Sequence, residues 1–152
     1  MKRIHTRDGV WGRGAGFTLV EILIVVVILG ILAAIVVPQF VGAQREAAEG
    51  TTYSELQKLR RAIDVYQARH ENALPDVTEG DGTWGALVAG NGEYLKSAPL
   101  NPYVGGANAR RVLLRDSPDD AYQTAYGWVF NATTGEVWAG SFDGNDEPIP
   151  RP

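Results

Sequence analysis

The chain has 152 residues, a net charge of −4 and no cysteine, so disulfides, thiol catalysis and cysteine metal sites are excluded. Its length suffices for one small domain with an appendage. Residues 1–16 carry four basic side chains against one acidic side chain, which leaves a net charge of −7 for residues 17–152. Because nucleic-acid binding relies on basic surfaces, the acidic remainder predicts no nucleic-acid partner.

Residues 1–16 are basic, polar and rich in glycine, which is typical of a targeting segment and not of a folded element. A basic flank that precedes an apolar run remains in the cytoplasm. We therefore predict that the amino end faces the cytoplasm and that the remainder is exported. The alternative is an ordinary secretory signal cut at the small residues Ala33 and Ala34, although the apolar core here is longer than the usual about 7–15 residues.

An apolar run extends from Phe17 to Val37 and contains one charged residue, Glu21. About 20 apolar residues span a bilayer as a helix, whereas a single strand in lipid would leave its backbone groups unpaired. We therefore predict a membrane-spanning helix over residues 17–38, surrounded by the lipid bilayer. Gly30 and Pro38 are weak points in this helix, because proline cannot donate the hydrogen bond to the residue four positions earlier.

Residues 39–74 are predicted to continue the helix in amphipathic form. Apolar residues recur there at steps of three and four, which places them on one face of a helix. That face is formed by Leu56, Leu59, Ile63 and Tyr66. Leu74-Pro75 prevents the helix from continuing. Because an apolar helix face has to be buried, we expect this second half of the helix to pack on the domain that follows.

Residues 75–152 are predicted to form a head of loops and a small antiparallel sheet. Turn-forming glycine and proline are frequent up to residue 109, with one short helix expected around residues 83–88. Strands are indicated at 111–115 and, as a β-hairpin, at 125–140, where aromatic and β-branched residues flank a turn that ends in glycine. The predicted fold class is therefore α+β, with a long amino-terminal helix packed on a small sheet.

The segment Gly16-Phe17-Thr18-Leu19-Val20-Glu21, with its apolar continuation to Phe40, resembles the amino-terminal signature of type IV prepilins and type II secretion pseudopilins. That signature combines a small residue, an aromatic residue and a glutamate shortly after the cut. The resemblance implies a pilin-like fold, cleavage by a prepilin peptidase between Gly16 and Phe17, and N-methylation of Phe17. It also implies that the mature chain of 136 residues assembles with identical or homologous subunits into a filament, through an inner-membrane assembly platform.

Glu21 is a candidate functional residue, because a carboxylate inside the hydrocarbon region costs free energy unless it is paired. Residues 17–37 offer no cation, but cleavage would create an ammonium group on Phe17. The resemblance implies that the two groups pair between neighbouring subunits and set their axial register. The alternative is a plain membrane anchor in which Glu21 reaches interfacial water.

Gly30 and Pro38 have two interpretations. The resemblance implies that this stretch of helix loosens when the subunit enters the filament. The alternative is that glycine and proline are simply more frequent in membrane helices than in soluble ones.

The resemblance leaves two kinds of filament open. A short chain without cysteine favours a major-type pseudopilin of type II secretion, which assembles from the inner membrane into the periplasm to drive protein export. The alternative is a type IV pilus subunit for adhesion, motility or DNA uptake at the surface. Major pseudopilins often carry an acid and a tryptophan in the loop before the sheet, where this chain has Asn101 and Tyr103. The sequence contains no nucleophile–base–orienter set, histidine cluster or phosphate loop, so an enzyme is not predicted.

Two acidic clusters are candidate cation sites. Major pseudopilins tend to bind calcium in a carboxy-terminal loop, and Asp143, Asn145 and Asp146 offer oxygen ligands of the kind that calcium prefers. Their spacing is not that of an EF-hand loop, so calcium as a cofactor stands beside the prediction of none. Either cluster is alternatively a solvated surface. The second cluster consists of Asp116, Asp119 and Asp120.

Overall fold

The computed structural model describes residues 16–80, 82–88 and 92–152, so the predicted leader lies, except for Gly16, outside the described residues. The chain divides into two compact units, one that ends at Phe40 and one that comprises Val41–Pro152. A single helix, α1, comprises Leu19–Arg69 and contributes residues to both units.

The first unit consists of the early part of α1 and the residues just before it. Its large apolar side chains, from Phe17 to Phe40, are between 42% and 84% exposed. An 18-residue window of the helix has a mean hydropathy of 3.3, so by length and composition α1 is able to cross a membrane. The helix begins at Leu19, two residues after the predicted start, and it includes both Gly30 and Pro38.

In the second unit, α1 ends at Arg69, five residues before the predicted boundary at residue 74. Glu71 and Asn72 adopt left-handed backbone conformations, with φ of 55° and 66°. The amide of Asn72 donates to the carbonyl of Gln67 at 2.9 Å and satisfies one of the carbonyls that a helix end leaves unpaired. The helix ends early because these left-handed residues stop it before the proline does.

The predicted apolar face of α1 is confirmed in the second unit. Leu56, Leu59 and Ile63 are buried, and Tyr66 packs against the core while remaining partly exposed. Full burial of one leucine or isoleucine side chain contributes about 1.5–3 kcal/mol, so this face anchors the helix to the head. The core that it joins contains aliphatic side chains and five aromatic ones: Trp84, Tyr103, Trp128, Phe130 and Phe142.

In the loop region before the sheet, the described residues include two short 3₁₀ helices, Gly85–Leu87 and Gly106–Asn108. The first lies within the segment predicted to be helical around residues 83–88. Its last residue, Leu87, is fully buried and fixes this loop to the core.

The head contains a three-stranded sheet in the order β1-β2-β3. The strands β2 and β3 pair antiparallel, with Val129 opposite Trp138, which confirms the predicted hairpin. Gly135, with φ of 81°, closes the turn between them at a position that requires a left-handed conformation. The strand bounds are Val112–Leu114 for β1, Trp128–Phe130 for β2 and Val137–Ala139 for β3.

The sheet is mixed, so the prediction of an antiparallel sheet is wrong for β1, while the α+β class is confirmed. β1 pairs parallel to β2, with Leu113 opposite Val129. Parallel neighbours need a crossover of about a dozen residues or more, and residues 115–127 supply it. Residues 116–124 of that segment have no helical or strand periodicity, so its course could not be predicted from the pattern of apolar residues.

A fully buried side chain, Asn101, joins the loop before the sheet to three other parts of the head. Its Nδ2 donates to the carbonyls of Gly127 and Gly140, at 2.8 and 3.0 Å. Its Oδ1 accepts from the hydroxyl of Thr52 on α1 at 3.1 Å and from the amide of Val104 at 3.0 Å. A Cβ at either glycine would collide with a backbone carbonyl, so the tight packing beside Asn101 requires glycine at both positions.

Asn101→Ala is expected to lower the free energy of unfolding by roughly 2–4 kcal/mol, because its buried partners lose their hydrogen bonds. Urea unfolding followed by tryptophan fluorescence measures this change, since Trp84 and Trp128 are fully buried. Asn145→Ala, at an exposed position, is the control and should unfold like the wild type. An Asn101→Ala curve that overlays the wild-type curve would contradict the role given to this side chain.

Candidate functional site

The amino end of α1 carries a reciprocal pair of hydrogen bonds between Thr18 and Glu21. The Thr18 amide donates to Glu21 Oε2 at 2.8 Å, and the Glu21 amide donates to Thr18 Oγ1 at 3.2 Å. This arrangement is a capping box, in which each side chain satisfies an amide that the helix start leaves unpaired. Sequence reasoning missed this partner of Glu21, although the Thr-x-x-Glu spacing is a signal that predicts it.

Gly16 and Phe17 precede α1 and have no regular secondary structure. Phe17 is 84% exposed, and among the described residues, apart from those adjoining Gly16, no atom lies within 4 Å of the position that a Cβ at Gly16 would occupy. Exposed, irregular backbone is where peptidases cut most readily. The geometry therefore suits cleavage between these two residues, and cleavage itself stays a prediction.

Gly30 and Pro38 both lie inside α1. The space around Gly30 is open, and Pro38 has no amide to donate to the carbonyl of Ala34. A continuous helix is compatible with both interpretations of these residues. Their role in helix flexibility therefore stays a prediction.

The three predicted calcium ligands lie in one carboxy-terminal loop. The carboxylates of the two aspartates among them already have hydrogen-bond partners. Asp143 Oδ1 accepts hydrogen bonds from the amides of Glu147 and Asn145, at 3.0 and 2.8 Å, and these bonds hold the pKa of Asp143 below its ordinary value. Both oxygens of Asp146 bind the guanidinium of Arg60, at 2.5 and 2.7 Å. Within residues 16–80, 82–88 and 92–152, no group of three or more histidine, aspartate and glutamate side chains is arranged to hold a metal ion.

The three carboxylates of the second acidic cluster differ in their exposure to solvent. Asp116 and Asp120 are exposed, whereas Asp119 is buried and accepts four hydrogen bonds at 2.6–2.9 Å. This carboxylate fastens the crossover between β1 and β2 to Ser141, the second residue after β3. Its donors are the guanidinium of Arg115, the hydroxyl of Tyr126, the side-chain amide of Gln123 and the backbone amide of Ser141.

The surroundings of Asp119 and of its donor Tyr126 shift the pKa values of both groups. Burial alone would raise the pKa of Asp119, but the hydrogen bonds outweigh burial and hold the pKa below its ordinary value. Burial and the neighbouring carboxylate together raise the pKa of Tyr126 to about 12. At physiological pH, an ionised Asp119 therefore accepts a hydrogen bond from the neutral phenol of Tyr126.

Comparison with known proteins identifies the amino-terminal segment. Residues 12–37 match the protein family described as "Prokaryotic N-terminal methylation motif". The matched residues include the capped start of α1, Glu21 and the apolar run that follows. With the pilin-like α+β fold, this match defines the chain as a prepilin-type protein.

Sequence relatives define the family more narrowly. Type II secretion system core protein G of Aeromonas hydrophila is 34% identical over 99 residues, which cover 60% of this chain and 68% of the relative. The protein of the same description from Pseudomonas aeruginosa is 35% identical over 97 residues, covering 59% and 68%. The one from Klebsiella pneumoniae is 46% identical over 102 residues, covering 60% and 70%. The chain belongs to the type II secretion system core protein G family. No solved structure matched the chain.

Asp119→Asn is expected to lower the free energy of unfolding at neutral pH by roughly 3 kcal/mol, because Arg115 loses an anionic partner that is out of water. The folded pKa of Asp119 lies below its unfolded value, so its stabilisation is present above the unfolded pKa and is lost as the pH falls through the folded pKa. Urea midpoints of wild type and variant should therefore stay apart from about pH 7 to about pH 5 and converge as the pH falls below about 4, toward the folded pKa of Asp119.

The exposed Asp120→Asn is the control for this pH series and should follow the wild type throughout. A gap between wild type and Asp119→Asn that remains constant at acid pH would show that the network does not depend on the charge of Asp119.

Proposed function

We propose that this chain is a structural subunit of a pilin-like filament in a type II secretion system, made as a precursor and anchored in the inner membrane before assembly. The observation that carries the proposal is the segment from Gly16 to Glu21, in which an exposed peptide bond precedes a capped, apolar helix with one internal acid. The match to the methylation motif and the relatives described as core protein G support the same role.

The proposed processing is a cut between Gly16 and Phe17 by a prepilin peptidase, followed by N-methylation of Phe17. The cut removes the basic leader and places a new ammonium group at the amino end of α1. The helix dipole disfavours a positive charge at that end. An acid one turn into the helix, Glu21, is therefore well placed to offset the new charge, either in the same chain or in a neighbour.

The proposed location is the inner membrane, with residues 17–38 in the bilayer, the amino end in the cytoplasm and the head in the periplasm. The basic leader supports this orientation, because basic flanks remain on the cytoplasmic side. The exposed apolar side chains of the first unit support a lipid or filament-core environment, because so much apolar surface is unfavourable in water. An inner-membrane assembly platform would then move subunits from the bilayer into the filament.

Glu21 has two proposed partners at successive stages. Before assembly, the Thr18 amide gives its carboxylate a hydrogen bond within the same chain at 2.8 Å, which leaves the charge in place. In the filament, the amino group of Phe17 on a neighbouring subunit supplies the cation. Because an unpaired charge is costly among apolar helices, this pair would fix the axial register of the subunits.

The role is structural and belongs to secretion. The relatives' description names type II secretion, which favours a periplasmic pseudopilus over a surface pilus. Residues 75–152 carry eleven acidic and five basic side chains, a balance that disfavours nucleic acid as a partner. The partners proposed are therefore identical or homologous subunits, the peptidase, the assembly platform and the bilayer.

The native protein is expected to have the intact mass of 136 residues beginning at Phe17, plus one methyl group. Gly16→Val should leave the leader attached, because a branched side chain at the cut obstructs the peptidase. Gly14→Val, two residues earlier, is the control and should be processed normally. Mass spectrometry of the envelope fraction measures both. A native chain that begins at Met1 would contradict the proposed function.

Glu21→Gln is expected to leave the amount of protein in the membrane unchanged and to reduce filament yield by about tenfold or more, because each subunit loses a charge-assisted pair. Glutamine still accepts a hydrogen bond from the Thr18 amide, so this variant separates the charge from the helix cap. Glu79→Gln, an exposed acid of the head, is the matched control. Filaments of Glu21→Gln at wild-type yield would refute the pairing role.

A further inference from the structure

The carboxy-terminal loop, residues 142–148, is closed by its own backbone. An isolated β-bridge joins its two ends. The amide of Asp143 donates to the carbonyl of Glu147 at 2.9 Å, and the amide of Asp146 donates to the carbonyl of Asp143 at 3.1 Å. Because Asp143 Oδ1 also accepts from two backbone amides, this carboxylate serves the loop itself.

Arg60, on α1, fastens this loop to the helix. Its guanidinium donates to both carboxylate oxygens of Asp146, at 2.5 and 2.7 Å, and to the carbonyl of Val137 on β3 at 3.0 Å. The two side chains are only 32% and 17% exposed, so water screens the pair incompletely. A planar guanidinium matches a carboxylate in this two-bond geometry, which makes the pair stronger and more directional than a single contact.

Asp146 has a left-handed backbone, with φ of 63°. This conformation is uncommon for a residue with a side chain and persists only where surrounding contacts hold it. The ion pair with Arg60 is such a contact, because it fixes the side chain of the strained residue. Loss of the arginine would therefore loosen the loop as well as remove a charge.

The resemblance to major pseudopilins implied calcium in this loop, and the side chains do not fit that ion. Calcium takes about 6–8 oxygen ligands. Here Asp146 has both oxygens on a guanidinium, and Asp143 directs one oxygen at backbone amides. A calcium ion would have to displace Arg60 and would be repelled by its charge.

We propose that Arg60 is the built-in cation of this loop, and that the head keeps the loop closed without calcium. The positive charge that a metal ion would bring is supplied by a side chain of α1. Arg60 closes the loop within a single chain. A test of this closure therefore does not depend on whether the subunits assemble into the proposed filament.

Hydrogen–deuterium exchange of the full-length protein in detergent, followed on peptides that cover residues 136–149, tests this proposal. We expect equal exchange rates in excess EGTA and in calcium at about 5 mM, which exceeds the about 10⁻⁴–10⁻³ M dissociation constants of extracellular calcium sites. Arg60→Met should accelerate exchange of the loop roughly three- to tenfold in both conditions. Arg61→Met, at the adjacent exposed position of α1, is the control and should exchange like the wild type.

Slower exchange of the wild-type loop in calcium than in EGTA would overturn the proposal, and this comparison needs no variant. A loop that exchanges at the wild-type rate in Arg60→Met would also overturn it. Asp146→Asn should accelerate exchange as Arg60→Met does, and the double variant should add little, because both substitutions remove one shared contact. Fully additive acceleration in the double variant would show that the two residues do not act together.

Discussion

One carboxylate, that of Glu21, constrains the amino-terminal part of this protein. Every other residue of the run from Phe17 to Val37 is uncharged, so the run offers the carboxylate no cation. The capping bonds with Thr18 provide a donor and begin the helix, but they leave the charge in place. The amino group that the proposed cut after Gly16 would create lies at the same end of the helix. In the proposed function, processing, membrane residence and assembly therefore all involve Glu21, because a charge among apolar helices has to be matched.

The head depends on buried polar contacts because its regular structure is small. Each of its three strands has three residues, so the strand ladder alone holds little of the chain. Asn101 ties α1 to the backbone that enters β2 and leaves β3, and Asp119 ties the crossover to the end of β3. Arg60 ties α1 to the terminal loop. Such groups stabilise an interior only when their hydrogen bonds are satisfied, and these three have close partners on several sides.

The elements that sequence predicted well are those whose causes are local. The apolar run, the three-four spacing from Leu56 to Ile63 and the β-branched hairpin each depend on near neighbours, and the structure has all three. The cap of Glu21 by Thr18 spans three positions and was equally predictable. The Arg60–Asp146 pair joins residues 86 positions apart, and the partners of Asn101 lie up to 49 positions away. No periodicity records such contacts, which is also why the sequence does not predict the parallel pairing of β1 with β2.

Solid-state NMR on filaments assembled from two separately labelled batches of subunits tests the central claim most directly. One batch carries labelled nitrogen in phenylalanine and the other carries labelled carbon in glutamate carboxylates, so any carbon–nitrogen dipolar contact joins different subunits. We predict that the terminal amino nitrogen of Phe17 lies within about 4 Å of a carboxylate of a neighbouring subunit, and that Glu21→Gln abolishes this contact. Well-formed filaments that lack the contact would contradict an assembly based on Glu21.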